Sequence, residues 1–177
     1  SVTITGGGGS TSVGAAAAMG AVLSLINCNN TDNNQTSIDF MASTSLSTSK
    51  VIGKNDSHSS RNGSLIFATS SAAAPAERMR IDSSGRVLIG TTTEGHANGD
   101  DLTIATSGDT GITLRSGTSN AGNIYFSDAT SGDGEYKGFI SYGHNIDGLY
   151  FATSATTRML IDSSGRTLIG TTSQNNN

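Results

Sequence analysis

The stretch "RMRIDSSGRVLIGTTT" spans Arg78 to Thr93, and a near copy, "RMLIDSSGRTLIGTTS", spans Arg158 to Ser173. In both copies, two short apolar runs flank the polar segment Asp-Ser-Ser-Gly-Arg. Short apolar runs on either side of a glycine-containing polar segment are typical of a β-hairpin. Because the phrase occurs twice, the sequence predicts a chain built from two related β units.

The polar segment sets the register of the predicted hairpin. If Asp82 pairs with Arg86, three residues form the loop, and the last of them is Gly85. A loop of this length requires a left-handed backbone conformation at its last position, which glycine adopts without steric cost. The second copy has the same residues at the matching positions: Asp162, Gly165 and Arg166.

This register sorts the side chains of each hairpin onto two faces. One face is apolar and is expected to be covered; it consists of Met79, Ile81, Val87 and Ile89 in the first copy and of Met159, Ile161, Thr167 and Ile169 in the second. The other face carries the Asp–Arg pair and a leucine, Leu88 or Leu168, which we expect a neighbouring chain to cover. We predict that the Asp–Arg pairs set the register of the hairpins. Each pair is expected to contribute well below ~1 kcal/mol to the stability of the fold.

The repetition extends upstream of the hairpins. "GSLIFATSS" at 63–71 matches "GLYFATSA" at 148–155, and "VTIT" at Val2–Thr5 matches "LTIA" at Leu102–Ala105. The sequence therefore predicts four segments: a first β repeat unit at 1–93 with loop insertions, a polar joint at 94–101, a second β repeat unit at 102–173 and a polar tail at 174–177.

The second copy shows the strand pattern most clearly. Short apolar runs separated by turn signals predict antiparallel strands at 102–106, 111–115, 123–127, 136–142, 148–153, 158–162 and 166–170. Helix is expected in at most one place, Ala15 to Leu25, where small residues dominate. The predicted fold class is therefore all-β, with antiparallel strands and hairpins in two repeats.

The composition favours association of several chains. Hydrophobic residues make up 34% of the 177 residues and charged residues 14%, and the net charge is -4. A monomer this poor in apolar side chains would not offset its chain entropy by burial, so we expect an obligate oligomer. The negative charge argues against a nucleic-acid partner, and no apolar run is long enough for membrane insertion.

The sequence indicates no catalytic site, metal site or cofactor. His58, His96 and His144 lie too far apart in sequence to form a metal-ligand motif in one chain. The adjacent Asp100 and Asp101 do not form the pair of acids across a cleft that sugar hydrolysis needs. We therefore expect no enzyme activity.

Four side chains are candidates for contact with a receptor. Tyr136, Tyr142, His144 and Tyr150 lie in or beside loop-flanked strands of the second copy. Aromatic and polar side chains on such a surface suit a glycan. The alternative is that Tyr142 and Tyr150 simply pack against the body of the protein.

The quoted phrases resemble a known family. "ERMRIDSSGRVLIGTTT" and residues 111–173 are similar to the repeat of bacteriophage tail-fibre and related virion appendage proteins. The resemblance covers the second copy and the last third of the first. In that family the phrase often precedes an intramolecular chaperone that trimerises the fibre and cleaves itself off. We expect no such chaperone in this chain, so its self-cleavage activity is not assigned.

The resemblance implies an elongated homotrimer, either a β-prism or an intertwined β shaft. It also implies a virion tail-fibre location outside the cell, other fibre or tail proteins as partners, and contact with a host-surface glycan or protein. Two alternatives remain at this point. One is a cellular adhesin or self-assembling extracellular filament, and the other is a polysaccharide-degrading spike.

Overall fold

The structure, a computed structural model, describes the backbone of residues 9–16 and 20–171 and the side chains of residues 25–171. Its regular structure is almost entirely β, which confirms the predicted all-β class. The strands in chain order are β1 (Gly9–Ala16), β2 (Gly20–Asn27), β3 (Asn34–Ser43), β4 (Leu46–Ser57), β5 (Asn62–Thr69), β6 (Ala76–Ile81), β7 (Val87–Ile89), β8 (Leu102–Ile104), β9 (Ala121–Phe126), β10 (Gly138–Gly143), β11 (Gly148–Thr153), β12 (Thr156–Ile161) and β13 (Thr167–Ile169).

These strands form three sheets. β1 and β2 pair with each other, a six-stranded sheet has the order β3-β4-β5-β6-β7-β8, and a five-stranded sheet has the order β13-β12-β11-β10-β9. All pairs are antiparallel except β7 and β8, which are parallel. A short 3-10 helix, Gly132–Tyr136, precedes β10. In the described part of the chain no helix is long and apolar enough to cross a membrane.

The prediction of helix at Ala15–Leu25 is wrong. The described backbone there belongs to β1 and β2, which pair in register from Gly9 opposite Asn27 to Ala16 opposite Gly20. Two physical reasons favour the hairpin. Glycine is a poor helix former, and an antiparallel partner satisfies the backbone hydrogen bonds that a helix would otherwise supply.

The strand predicted at 111–115 is also absent from the structure. These residues have no hydrogen-bonded strand beside them among the described residues. Ile112 and Leu114 are exposed. The segment has the apolar pattern of a strand, but a strand also needs a neighbour whose backbone groups it can bond.

The chain forms two compact units, Ser1–Gly111 and Ile112–Asn177. β8 belongs to the first unit, because Val87, Leu88 and Ile89 pair with Leu102, Thr103 and Ile104. The compact units therefore divide after the first strand of the predicted second repeat. The repeat boundaries themselves remain a prediction about the sequence.

The buried residues of the six-stranded sheet lie on the face that carries Arg80. Ile66 and Leu88 are 4% and 1% exposed, and the register places Arg80 directly between them. The long stems of charged side chains can cover apolar neighbours while their heads stay in water. The expectation that a neighbouring chain covers Leu88 is therefore wrong, because its own chain already buries it.

The five-stranded sheet has the same arrangement. Its buried apolar residues are Ala152, Leu160 and Leu168. Leu160 and Leu168 are cross-strand partners, as Arg80 and Leu88 are in the first unit. Leu168 is 9% exposed, so the expected cover from a neighbouring chain is wrong for this leucine too.

A bulge at one arginine recurs in both sheets. The register shifts between Phe67 and Ala68 opposite Arg78, and it shifts between Phe151 and Ala152 opposite Arg158. Each arginine donates from Nε to a threonine hydroxyl on the neighbouring strand at 3.2 Å. The two copies of the sequence phrase thus fold in the same local geometry.

The turn between β11 and β12 is conformationally strained. Ser154 and Ala155 have φ angles of 53° and 55°. Two positive φ angles match the twist of a hairpin, but residues other than glycine pay about 1–2 kcal/mol each in this region, and Asn tolerates it better.

Replacing Ser154→Asn together with Ala155→Gly should therefore stabilise the protein by about 1 kcal/mol, since Asn-Gly is the favoured pair for this turn. Thermal unfolding followed by circular dichroism measures the effect. The matched control is Ser163→Asn with Ser164→Gly, in a three-residue loop whose left-handed position is already glycine. An equal rise in melting temperature for both variants would contradict the assignment of strain to the β11–β12 turn.

Candidate functional site

The β6–β7 hairpin has the same register that its loop length predicts. Met79 pairs with Ile89, and Ile81 pairs with Val87. The Asp82 N–H donates to the Arg86 carbonyl at 3.0 Å. Gly85 closes the loop with a φ of 83°.

The Asp82 carboxylate organises this loop. Its Oδ1 accepts from the backbone N–H groups of Ser84 and Arg86 at 2.8 and 3.0 Å, and its Oδ2 accepts from the Arg86 side chain. Asp162 makes the matching bonds to Ser164 and Arg166 at 2.9 and 3.0 Å. The aspartates therefore do more than pair with arginine across the strands, because they also bond the backbone of the loop.

These contacts lower the pKa of both carboxyls. Burial opposes the shift at Asp82, but hydrogen bonds from the backbone and side chain of Arg86 outweigh it. At Asp162, the hydrogen bond from the Arg166 side chain is the largest cause of the lowered pKa, followed by the Arg166 backbone N–H. Both carboxylates are therefore held in their charged form.

Acid should weaken the fold through these loops. A carboxyl whose folded pKa is lowered stabilises the folded state above its ordinary value of 3.8, and the contribution is lost as the pH falls below that value. We expect the melting temperature to fall below about pH 4. The fall should be smaller in the double variant Asp82→Asn, Asp162→Asn, and unchanged in the exposed-loop control Asp109→Asn. A double variant that loses as much as the original chain would contradict this role.

The face opposite the charged core of the six-stranded sheet is apolar. One row of paired residues crosses all six strands and is apolar throughout: Ile38, Val51, Phe67, Met79, Ile89 and Ile104. The neighbouring row adds Leu65, Ile81, Val87 and Leu102. We call this surface, together with Phe40, the first apolar face.

Much of the first apolar face is accessible in the single chain. Phe67 and Ile89 are each 37% exposed, and Ile38, Phe40, Leu65 and Leu102 are more so. A contiguous exposed apolar surface of this kind marks an interaction site in a soluble protein. The hairpin residues expected to need cover, Met79, Ile81, Val87 and Ile89, all lie on it.

The five-stranded sheet has an equivalent surface. A row across all five strands consists of Ile124, Ile140, Phe151, Met159 and Ile169. We call this row, with Phe126, Leu149 and Ile161, the second apolar face. Ile169 is 77% exposed. Phe151, Met159 and Ile169 are the repeat counterparts of Phe67, Met79 and Ile89.

Of the four candidate receptor residues, the structure brings together only Tyr142 and His144. Their rings meet edge to face, with centroids 5.0 Å apart. The Tyr142 hydroxyl donates to Asp147 Oδ1 at 3.0 Å, and this hydrogen bond raises the pKa of Tyr142. Asp147 has a left-handed φ of 48°. We call Tyr142, His144 and Asp147 the hairpin-end cluster.

The other two candidates lie elsewhere. Tyr150 is on the opposite face from Tyr142, because it pairs with Ser141. A Cβ at Gly148 would lie 3.3 Å from the Tyr150 hydroxyl oxygen, so this ring packs directly over glycine. Tyr136 precedes the start of β10 and donates to Asp133 at 3.0 Å. The four residues therefore do not form a single site.

Sequence reasoning missed an open cleft at the β4–β5 turn. The cleft has a volume of about 660 Å³ and is lined by Gly53, Lys54, Asn55, His58, Arg61, Asn62, Gly63, Ser64 and Leu65. Amide and cationic groups line the cleft beside a larger apolar surface. No motif marks such a surface, although the two glycines on paired strands indicate where side chains leave space.

The described residues contain no group of three or more metal-ligating side chains. Cys28 is exposed. The Asp100 carboxylate accepts from the Arg86 side chain at 2.9 Å. The charged side chains described above are engaged in the sheet and its turns.

No protein-family model and no curated protein matches the sequence. Among solved structures, the chain is similar to the carboxy-terminal domain of the bacteriophage T5 L-shaped tail fibre with its intramolecular chaperone domain. The identity is 12% and the TM-score is 0.35, and the alignment covers 94% of this chain and 64% of that chain. The chain thus spans less than two thirds of the length of that structure.

Proposed function

We propose that this chain is a non-enzymatic structural segment of a virion tail fibre, and that three copies associate through their apolar faces. The observation that carries the proposal is the row of apolar residues that crosses every strand of the six-stranded sheet. A sheet with one covered and one solvated face normally alternates apolar and polar residues along each strand. Here the apolar side carries the exposed residues, and the described part of the chain leaves much of it uncovered.

The energetics favour association. Full burial of one Val, Leu, Ile or Phe side chain contributes about 1.5–3 kcal/mol. The first apolar face alone offers the exposed side chains of Ile38, Phe40, Leu65, Phe67, Ile89 and Leu102. If association gains only half of the full burial free energy for each of these side chains, the sum already reaches the range of about 4–15 kcal/mol that association costs. The second apolar face adds to this gain.

The number of copies rests on the resemblance of the hairpin phrase to tail-fibre repeats. Three sheets arranged around one axis cover all three apolar faces. A dimer with its two sheets packed face to face would also cover its apolar faces. The mass of the assembly, and not the buried area, therefore distinguishes a trimer from a dimer. The same resemblance supports a location on the virion and association with other fibre or tail proteins.

Contact with a host-surface glycan is the finer part of the proposal. The hairpin-end cluster offers an aromatic ring, an imidazole and a carboxylate at the margin of the second apolar face. Aromatic faces and hydrogen-bonding groups together suit a sugar ring. Tyr142→Ala and His144→Ala should weaken attachment of the assembled protein to host cells, whereas Tyr136→Ala should not.

Imaging of the assembled particle tests the proposed role. Gold-labelled antibodies raised against this chain should decorate the tail fibres of intact virions in electron micrographs. Label on a cell surface or along bare filaments would instead support the alternative, an extracellular adhesin or filament. Turnover of host polysaccharides by the purified protein would overturn the non-enzymatic assignment.

A further inference from the structure

The outer edge of β7 is occupied within the chain. The Val87 N–H donates to the Asp101 carbonyl at 2.8 Å, and the Ala105 N–H donates to the Ile89 carbonyl at 3.0 Å. These two bonds bracket the parallel pairing of β7 with β8. The strand that opens the next repeat, β8, therefore pairs with the outer edge of the first hairpin.

The outer edge of β13 has the same geometry but no strand beside it among the described residues. The pairing of β12 with β13 reproduces that of β6 with β7, since Met159 pairs with Ile169 as Met79 pairs with Ile89. The Gly170 N–H donates to the Arg158 carbonyl at 2.8 Å, as the Gly90 N–H does to Arg78 at 2.9 Å. β13 ends the order of its sheet. Its outward N–H and C=O groups, at Thr167 and Ile169, match those that hold β8 on β7.

No described residue fills, beside β13, the space that β8 fills beside β7. A Cβ at Gly90 would collide with the carbonyl oxygen of Ala105, whereas a Cβ at Gly170 would meet no described atom within 4 Å. Both glycines have a φ of 73°. Ile89 is 37% exposed beside β8, and its counterpart Ile169 is 77% exposed. The second hairpin thus has the shape of a docking edge with no strand beside it among residues 9–16 and 20–171.

Two further segments of the sequence, Val2–Ile4 and Ile112–Leu114, have the apolar-Thr-apolar pattern of β8, and Val2–Thr5 is its counterpart in the first repeat. Val2-Thr3-Ile4-Thr5 matches Leu102-Thr103-Ile104-Ala105, with apolar residues at the first and third positions and threonine between them. We propose that the edge of β13 binds Val2–Thr5 of a second copy as a parallel strand. By the β7–β8 register, Val2 lies opposite Thr167 and Ile4 lies opposite Ile169. The backbone hydrogen bonds of this contact are distinct from the side-chain packing of the apolar faces, and because the contact is head-to-tail it joins assemblies end to end.

Site-directed disulfide trapping tests this register. Two single variants, Val2→Cys and Thr167→Cys, are made in a Cys28→Ser background, mixed, and oxidised at low concentration. Directly opposed residues on neighbouring strands are close enough for a disulfide. We expect the linked dimer of the two variants to be the main product. The control mixture, Thr3→Cys with Thr167→Cys, places the two thiols on opposite faces of the sheet and should stay at the background level.

Two results would overturn the proposal. One is the absence of a linked dimer in the Val2–Thr167 mixture while circular dichroism shows both variants folded. The other is equal linkage in the two mixtures, which would indicate random encounter. A second variant, Thr167→Pro, removes the outward N–H and should abolish end-to-end growth without changing the mass of the smallest assembly. That outcome separates this contact from the association of the apolar faces.

Discussion

Phe67→Asp is expected to dissociate the assembly into single chains. Phe67 lies in the central row of the first apolar face, between Val51 and Met79. In the single chain the substitution places a charge at a position that is already 37% exposed, so the fold should survive. In the covered face the carboxylate would be buried without a partner, which costs about 3–5 kcal/mol. Each chain of the assembly carries this loss, so association should weaken by a factor of at least about a hundred.

Ile146→Asp is the matched control. It places the same charge on an exposed apolar side chain, but in the loop between β10 and β11 and outside both apolar faces. Sedimentation velocity of the two variants at equal concentration gives the comparison. We expect the assembly to be lost in the first variant and unchanged in the second. An assembly of normal mass with Phe67→Asp would show that the first apolar face is not the interface.

Gly90→Ala is expected to be the most destabilising of the glycine substitutions in the two hairpins. Gly90 has a left-handed φ of 73°, so an added Cβ costs about 1–2 kcal/mol in backbone strain. In addition, that Cβ would collide with the carbonyl oxygen of Ala105, which follows β8. Relief of this collision requires β8 to move away from β7. We therefore expect a loss clearly larger than about 2 kcal/mol.

Gly85→Ala and Gly170→Ala provide the comparison. Both positions have positive φ, but a Cβ there would meet no described atom within 4 Å. These variants should lose only the strain of about 1–2 kcal/mol. Chemical denaturation of the three variants, each in a Thr167→Pro background that leaves the β13 edge unoccupied, gives the ranking. Equal losses at Gly90 and Gly170 would contradict the close packing of β8 against β7.

The parts of the fold that followed from the sequence are those set by local chemistry. The polar segment from Asp82 to Arg86 has the length and the glycine of a three-residue loop, and the register of β6 with β7 follows from that length. The alternation of apolar residues then placed Met79 and Ile89 on one face. The all-β class followed from short apolar runs separated by turn residues.

The parts that did not follow depend on non-local pairing. The parallel contact of β8 with β7 joins residues across the polar joint, and no local pattern encodes it. Leu88 was expected to need a neighbouring chain, but a central position beside Arg80 buries it within its own sheet. The small residues of Ala15–Leu25 are compatible with both a helix and a hairpin. The antiparallel pairing of β1 with β2 favours the hairpin.

The positions of the four candidate receptor residues relative to one another did not follow from the sequence, and their contact with a receptor stays a prediction. The choice of Tyr136, Tyr142, His144 and Tyr150 rested on residue type and on nearness in sequence. Strand alternation separates Tyr142 from Tyr150, and the length of β10 separates Tyr142 from Tyr136. Only Tyr142 and His144, two residues apart at the end of one strand, were close enough for sequence reasoning to place them together.

The mass of the smallest assembly in solution shows whether copies of this chain cover each other's apolar faces. Native mass spectrometry of the Thr167→Pro variant over a dilution series excludes end-to-end growth and measures that assembly alone. We expect a species of three times the chain mass of 17.9 kDa that persists on dilution. A stable monomer of 17.9 kDa at every concentration would contradict it.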